Sequence, residues 1–362
     1  MIRPATIKDI DHLLAIEKSC FVTDQLSRRN FRYLLTKANA QTLVDEVDGV
    51  IRGYAMLLFS RCTSMARLYS FATALTFRQQ GVAQNLLKAA EVSAIERDCV
   101  SLRLETRYDN VAMQQLVTKN NYRKFGVIAN YYEDNAAALR FEKSLAPQLD
   151  RDLVKVPYYQ QSLDFTCGPA ALMMAMQTLD NTLLLDRKLE LRIWRESTTI
   201  FMTSGHGGCG PYGLALSAYR RGYEVEVYVN DSGPLFVDSV RNPQKKEVIR
   251  LVQEDFLAEI AQLAIKIVNS SLDVASIKEK LEEGAIPIVL ISSYRIYREK
   301  SPHWVVVTGF DDKYIYVHDP LVDDGETCTD CINMPILQKD FERMARYGKS
   351  TQKAVLILKS KK

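Results

Sequence analysis

At 362 residues the chain is long enough for two to three domains, each able to bury a core of its own. Its 47 Lys and Arg stand against 44 Asp and Glu, and the formal charge of +3 removes any overall compositional case for a nucleic-acid or acidic-membrane partner. The seven cysteines are odd in number and scattered, no apolar run approaches the ~18 residues of a membrane span, and the N-terminus lacks the apolar core of a signal peptide, so a soluble protein of the reducing cytoplasm is expected.

The first part alternates strand and helix signals. Residues 2–5 read as a short strand, and residues 9–21 repeat apolar side chains at helical spacing (Ile10, Leu13, Leu14, Ile16). A second helix is expected over 28–35. From Thr42 to Phe59 strand-type runs break at Asp48-Gly49, a hairpin signal. A strand over 67–75, a helix over 83–97, a strand over 101–106 and a helix from Asp109-Asn110 to Asn120 follow, with closing strands over 124–132 and 137–141. Residues 144–151, SLAPQLDR, are polar with one proline and place a domain boundary. Beyond Val156 the pattern changes. Helices are expected after Cys167, over 184–199 and after Gly210-Pro211, then a strand over 224–229, a long charged helix from about Lys245 and a short helix over 273–282. Strand runs over 286–292, 303–309, 314–318 and 354–358 come last, and helices early with strands late is the pattern of an α+β domain.

The stretch QSLDFTCGPAALMMAM, residues 161–176, places Thr166-Cys167-Gly168-Pro169 at the start of an apolar helix. A thiol there sits at the positive end of the helix dipole, which stabilises a thiolate and makes Cys167 a candidate nucleophile. The other reading is a small buried hydrophobe. Four histidines are available as base: His12, His206, His303 and His318. A strand-borne imidazole with a carboxylate behind it suits the task, because the third group fixes the tautomer and stabilises the imidazolium. His303 opens the strand HWVVVTGF and Asp319 follows sixteen positions on in YIYVHDP, a hairpin length that can set the start of one strand beside the end of the next. Gln161, six positions before Cys167, has an amide that could face the oxyanion formed when the thiolate attacks a carbonyl.

These residues resemble the papain-like cysteine peptidases, most closely the bacteriocin-processing branch that cuts double-glycine leader peptides inside exporter proteins. The resemblance spans about residues 154–362. It implies Cys167 as nucleophile, His303 as general base and then acid, Asp319 as orienting group and Gln161 as oxyanion donor, acting on a peptide or protein. The membrane spans and ATP-binding cassette of the exporters are missing. SGHGGCGPYGL, residues 204–214, reads as a tight turn capping a helix, with a lining of the substrate cleft as the alternative. Cys328 and Cys331 have CxxC spacing without a second ligand pair, so no metal site is read there.

LYSFATALTFRQQGVAQNLLKAAE, residues 68–91, runs a strand through Arg78-Gln79-Gln80-Gly81-Val82-Ala83 into an amphipathic helix, a turn whose N–H groups and dipole face an anion. LETRYDN, a helix ending at Tyr122 and NYYEDNAAALRFEK follow. The series looks like the GNAT acyltransferase family, in particular its ribosomal-protein N-terminal acetyltransferase type, and covers about residues 1–146. It implies acetyl-CoA as cofactor, with Arg78, Gly81 and Ala83 on the pyrophosphate turn and Asn110 on the cofactor side. Members usually carry a tyrosine on the next helix and a glycine before the terminal aromatic; Val117 and Asn121 occupy those positions here. Arg123-Lys124 replace a carboxylate often found in the following strand, leaving no obvious general base. Tyr131 or Tyr132 then remain as candidates for the acid, with packing on a closing strand as their other reading.

The expected architecture is α/β plus α+β, a GNAT fold over 1–146 followed by a papain-like cysteine peptidase fold over 154–362. Cleavage creates an α-amine and an N-terminal acetyltransferase consumes one, which suggests peptide processing joined to N-acetylation. The same triad would also serve a papain-like acyltransferase, with the first half as an acetyl-CoA sensor or substrate-docking module.

Overall fold

Leu43 and Val44 are adjacent in one strand and both buried, yet they belong to separate apolar clusters. Period-two alternation sends them to opposite faces, so their sheet must be covered by helices on both sides. The computed structural model describes residues 1–60, 63–146, 152–199, 207–231, 233–237, 240–292, 301–322, 328–348 and 351–360. The chain divides into two units, Met1–Leu149 and Asp150–Lys362.

The strands of the first unit are β1 (Ile2–Pro4), β2 (Ala40–Val47), β3 (Val50–Phe59), β4 (Met65–Thr73), β5 (Ser101–Arg107), β6 (Arg123–Ile128) and β7 (Ala138–Ser144), in the sheet order β1-β2-β3-β4-β5-β7-β6. Helices α1 (Ile10–Cys20) and α2 (Arg28–Thr36) cover one face, packing Leu13 and Phe31 on Val44, Tyr54 and Met56. Helices α3 (Val82–Ile95) and α4 (Val111–Lys119) cover the other, packing Leu86, Leu87 and Val117 on Leu57, Leu68 and Leu104. β4 and β5 are parallel and pair only from Met65 with Ser101 to Leu68 with Leu104. Past those pairs each strand continues with its other neighbour alone, so the sheet parts at the carboxyl ends of its parallel strands, where ligands of α/β folds collect. The expected strand over 124–132 ends at Ile128, because the chain turns through Asn130 in the left-handed region at φ 52. Tyr131 and Tyr132 therefore lie on the loop between β6 and β7 rather than on a closing strand.

The second unit comprises β8 (Asp152–Leu153), α5 (Cys167–Leu179), α6 (Arg187–Ser197), α7 (Pro211–Arg220), β9 (Tyr223–Val229), α8 (Pro243–Ile260), β10 (Lys266–Val268), α9 (Val274–Glu282), β11 (Ile286–Ser292), β12 (Pro302–Phe310), β13 (Tyr314–His318), β14 (Met334–Leu337), α10 (Gln338–Met344) and β15 (Ala354–Ser360). Its sheet runs β10-β9-β15-β11-β12-β13-β14, with β8 added to β12. Residues 167–176 of α5 are all buried, and a helix apolar on every side must be central. It packs on β11 and β12, with α6 and α7 against it. Gly168 is what lets α5 come this close: a Cβ there would stand 3.1 Å from Leu214, 3.2 Å from the Trp304 ring and 3.3 Å from Cys209. The sequence signals miss β10, which is too short to show alternation, and β14, whose Pro335 suits only an edge strand. No described helix is long and apolar enough to cross a membrane.

Candidate active site

Antiparallel register brings His303 and Asp319 together. Val306 of β12 pairs with His318 of β13, so one step further Asp319 stands across from Val305, a single same-face step from His303. The His303 Nε2 and Asp319 Oδ1 lie 2.6 Å apart with both side chains buried. Asp319 Oδ1 also accepts the Leu321 N–H at 2.9 Å, which fixes the carboxylate. With Nε2 so engaged, Nδ1 is the ring nitrogen left for Cys167, whose side chain is close enough to act on the His303 ring. Burial pushes the His303 pKa down, but the charge of Asp319, that of Cys167 and the side-chain contacts with both outweigh it, and the net result is a rise from 6.5 to about 10. His318 is the contrast. Its Nε2 donates to Val156 O and its Nδ1 accepts the Asn333 N–H, each at 3.0 Å, and burial pushes its pKa down, so it is held neutral in the core.

Cys167 is the first residue of α5, where the N–H groups of the opening turn have no intrahelical acceptor. Gln161 is buried nearby in sequence, its backbone N–H on Pro320 O at 2.8 Å and its side-chain Nε2 donating one hydrogen to Leu163 O at 2.9 Å. The second Nε2 hydrogen has no acceptor among the described residues, as an oxyanion donor requires. Cys167, His303, Asp319 and Gln161 thus converge on one end of the sheet and the start of one helix. Residues 204–206 of the glycine-rich stretch, His206 included, lie outside the described residues. Cys209 of the same stretch is buried beside Cys167, burial pushes its thiol pKa well up, and its carbonyl accepts the Trp304 N–H at 3.0 Å, all marks of a packing residue. Cys328 bonds Gln160 and Cys331 bonds the Leu321 carbonyl, and no metal-binding group of three or more His, Cys, Asp and Glu occurs among the described residues.

The first unit builds its site from backbone. Gly81 caps α3 with φ at +79, Gln79 is also left-handed at φ 61, and such turns aim successive N–H groups at one point. A Cβ on Gly81 would meet nothing within 4 Å, so the cradle is open in front. Arg78 is exposed beside it and Ala83 half-buried on the first turn of α3. Asn110 caps α4, its side chain accepting the Met113 N–H at 3.1 Å. Val117 is fully buried in the core and has no titratable group to offer. At the parting of β4 and β5 stands Glu105, the first β5 residue past the last parallel pair, held by Arg67 at 2.7 Å and Arg140 at 3.2 Å. Arg67 also donates to the Tyr131 hydroxyl at 2.5 Å. Burial raises the Tyr131 pKa despite that arginine, which keeps the phenol protonated. Tyr132 packs edge-on against Tyr131 at 5.0 Å and lies under Arg107. Sequence reasoning missed Glu105, although LETRYDN contains it; only the parallel register shows that it borders the gap.

A family model described as Peptidase_C39 like family matches residues 156–359, and one described as the acetyltransferase (GNAT) family matches residues 7–122. A Bacillus subtilis (strain 168) protein, provisionally named a ribosomal protein bS18-alanine N-acetyltransferase, is 31% identical over 134 residues, 37% of this chain and 87% of that one. Among solved structures, Ard1 from Thermoplasma volcanium is 26% identical, covering 40% of this chain and 96% of its own at a TM-score of 0.36. A ribosomal-protein-alanine N-acetyltransferase from Brucella melitensis is 23% identical, with 40% and 99% covered and a TM-score of 0.37.

Proposed function

We propose that this chain, which belongs to the Peptidase_C39 like family through residues 156–359 and to the GNAT acetyltransferases through its first half, cuts a peptide with Cys167 and acetylates an α-amine. The observation that carries the reading is the buried Cys167-His303-Asp319 constellation, with His303 held 2.6 Å from Asp319, on the same chain as an open glycine turn at the start of α3.

In the second unit the Cys167 sulfur attacks the scissile carbonyl carbon, and the carbonyl electron pair moves to oxygen. The free Gln161 Nε2 hydrogen and the Cys167 N–H are donors for that oxyanion. Collapse breaks the C–N bond, and the proton of the His303 imidazolium passes to the leaving nitrogen. Neutral His303 then takes a proton from water as its oxygen attacks the thioester, which releases the acid and regenerates the thiolate with its imidazolium. Asp319 holds the ring through both halves.

When bound in the first unit, acetyl-CoA supplies an activated acetyl thioester. The residues present fit it: the α3 N-terminus, the Gly81 turn and Arg78 offer donors and positive charge to a pyrophosphate. Tyr131, protonated and fixed by Arg67, carries the proton that a departing thiolate needs, and the proton the amine loses as the amide forms passes through solvent to restore the phenol. The new amine made by one unit is a substrate type for the other, and a shared chain raises its effective concentration. Mass spectrometry of a peptide library incubated with purified protein, with and without acetyl-CoA, tests this. Shortened peptides in both samples and a 42 Da gain, about the mass of one acetyl group, only with acetyl-CoA are expected; intact, unacetylated peptides would overturn it.

A further inference from the structure

Glu190 has no part in that scheme, yet it is fully buried, and carboxylates are almost never fully buried unless paired. It lies in the first turn of α6, behind the Asp186 cap, where the helix dipole favours a negative charge. Among the described residues no Lys, Arg or His forms an ion pair with it. Both its oxygens are instead taken by one short stretch of chain. Oε2 accepts the Tyr159 hydroxyl at 2.9 Å, and Oε1 accepts the Ser162 N–H at 2.8 Å and the Thr166 hydroxyl at 2.5 Å. These donors bracket Gln161 and end on the residue before Cys167.

The same stretch has a second anchor. Tyr158 donates to the Asp319 carbonyl at 3.0 Å and the Gln161 N–H to the Pro320 carbonyl at 2.8 Å. Residues 158–166 are therefore strung between Glu190 on α6 and the backbone that carries Asp319. Loss of the first anchor frees residues 162–166, which include the Leu163 carbonyl that holds the Gln161 amide, while leaving the Gln161 N–H on Pro320 and the His303–Asp319 pair in place. The Thr166 hydroxyl has one proton and two acceptors in reach, Leu163 O at 2.8 Å and Glu190, and the charged acceptor is the stronger.

We infer that Glu190 is a positioning residue of the peptidase site, acting through Gln161 and Thr166 to hold the oxyanion donor and the start of the nucleophile's helix. This rests on the peptidase reading of the second unit. Glu190→Gln keeps an oxygen for Ser162 and Thr166 and an NH₂ for the Tyr159 oxygen, so every contact survives without the charge. Glu190→Ala leaves the Ser162 N–H and the Tyr159 hydroxyl without an acceptor and the Thr166 hydroxyl with Leu163 O alone.

Steady-state peptide cleavage by the full chain tests this. Glu190→Ala should lower kcat by about 10²-fold, the scale of losing one oxyanion donor, with KM little changed, while Glu190→Gln stays within about tenfold of wild type. Gln161→Ala should cost a similar ~10²-fold, and the double variant should fall little below either single one, because both act on one group. Hydrogen exchange gives a readout free of activity: the Ser162 amide loses protection in Glu190→Ala and keeps it in Glu190→Gln. Wild-type kcat in Glu190→Ala, or losses that multiply in the double variant, overturn the inference. Should Glu190→Ala fail to fold by circular dichroism, Thr166→Val removes one of the three contacts and an unchanged kcat overturns it equally. A wild type that neither cleaves peptides nor shows alkylation of Cys167 overturns the peptidase reading itself, before any variant is compared.

Discussion

The two units solve the problem of holding a reactive group in opposite ways. In the first, the candidate site is an exposed turn in which Gly81 contributes by having no side chain and backbone N–H groups are the donors, joined by the exposed Arg78. In the second, apart from the Cys167 N–H, the participants are side chains, and those of Cys167, His303, Asp319 and Gln161 are all buried. A backbone site tolerates the loss of side chains but not their gain, whereas a buried constellation fails when any member is truncated. The variants that separate the units therefore run in opposite directions, subtraction in one and addition in the other.

The largest effect is expected from the simplest subtraction. Cys167→Ala should reduce peptide cleavage to background, a loss of roughly 10⁴-fold or more, since removing a nucleophile leaves only binding and oxyanion stabilisation. N-acetylation of a free-amine peptide by the same preparation should be unchanged. Equal loss in both assays would erase the distinction between the units.

Next comes Asp319→Asn, which sharpens the comparison through pH. The raised pKa of His303, about 10, means that the imidazolium is present throughout the neutral range and is lost as pH rises through that value. Acylation needs that proton, so cleavage should fall on the basic side near pH 10. Asn removes the charge that outweighs burial, so the basic limb should move down toward 6.5 or below, and cleavage near neutral pH should drop by roughly 10²-fold or more. The same sign governs stability: the ion pair's contribution is complete below 6.5 and disappears as pH rises through about 10. A basic limb that stays where it was would show that Asp319 does not set the charge of His303.

The two histidines of neighbouring strands show how far sequence carries. HWVVV and YIYVHDP are both apolar strands bearing an imidazole, and the choice of His303 rested on its place at a strand start, on Asp319 sixteen positions on and on the family resemblance. The β12–β13 register supplies the reason, setting Asp319 within one same-face step of His303 while His318 turns to Val156 and Asn333. Gly81 was legible because a left-handed turn ahead of a helix calls for glycine. Glu190 was not, since an acidic residue in RKLELRIWRES reads as the solvated side of a helix until its three donors, all remote in sequence, are brought to it. Glu105 was hidden likewise, because its position depends on where the parallel pairing of β4 and β5 stops.

Addition is the test of the first unit. Gly81→Glu places bulk and negative charge in the open cradle and forces a side chain onto φ +79. Acetyl-CoA affinity measured by calorimetry should fall by about 10²-fold or more, through like charge at an anion site and loss of backbone approach. Peptide cleavage should persist. Undiminished affinity would move the pyrophosphate away from this turn, and the backbone reading of the first unit with it.

The smallest effect distinguishes two neighbouring tyrosines. Tyr131 meets Arg67 through its hydroxyl, and Arg67 in turn holds Glu105 at the parting of the sheet. Tyr132 takes part through its ring, edge-on to Tyr131 and beneath Arg107. Phenylalanine keeps a ring and removes a hydroxyl. Tyr131→Phe should therefore lower acetyl-transfer turnover by about tenfold, the low end for losing a positioned acid, with acetyl-CoA affinity nearly constant, as expected for an interaction made mainly in the transition state. Tyr132→Phe should leave turnover within about twofold, because the packing it provides survives. The reverse pattern would assign the proton to Tyr132. Full turnover in both variants would leave the first unit with a cofactor cradle whose acid is neither phenol, and the contrast with the second unit would then extend from how a ligand is held to whether any side chain of the first unit moves a proton at all.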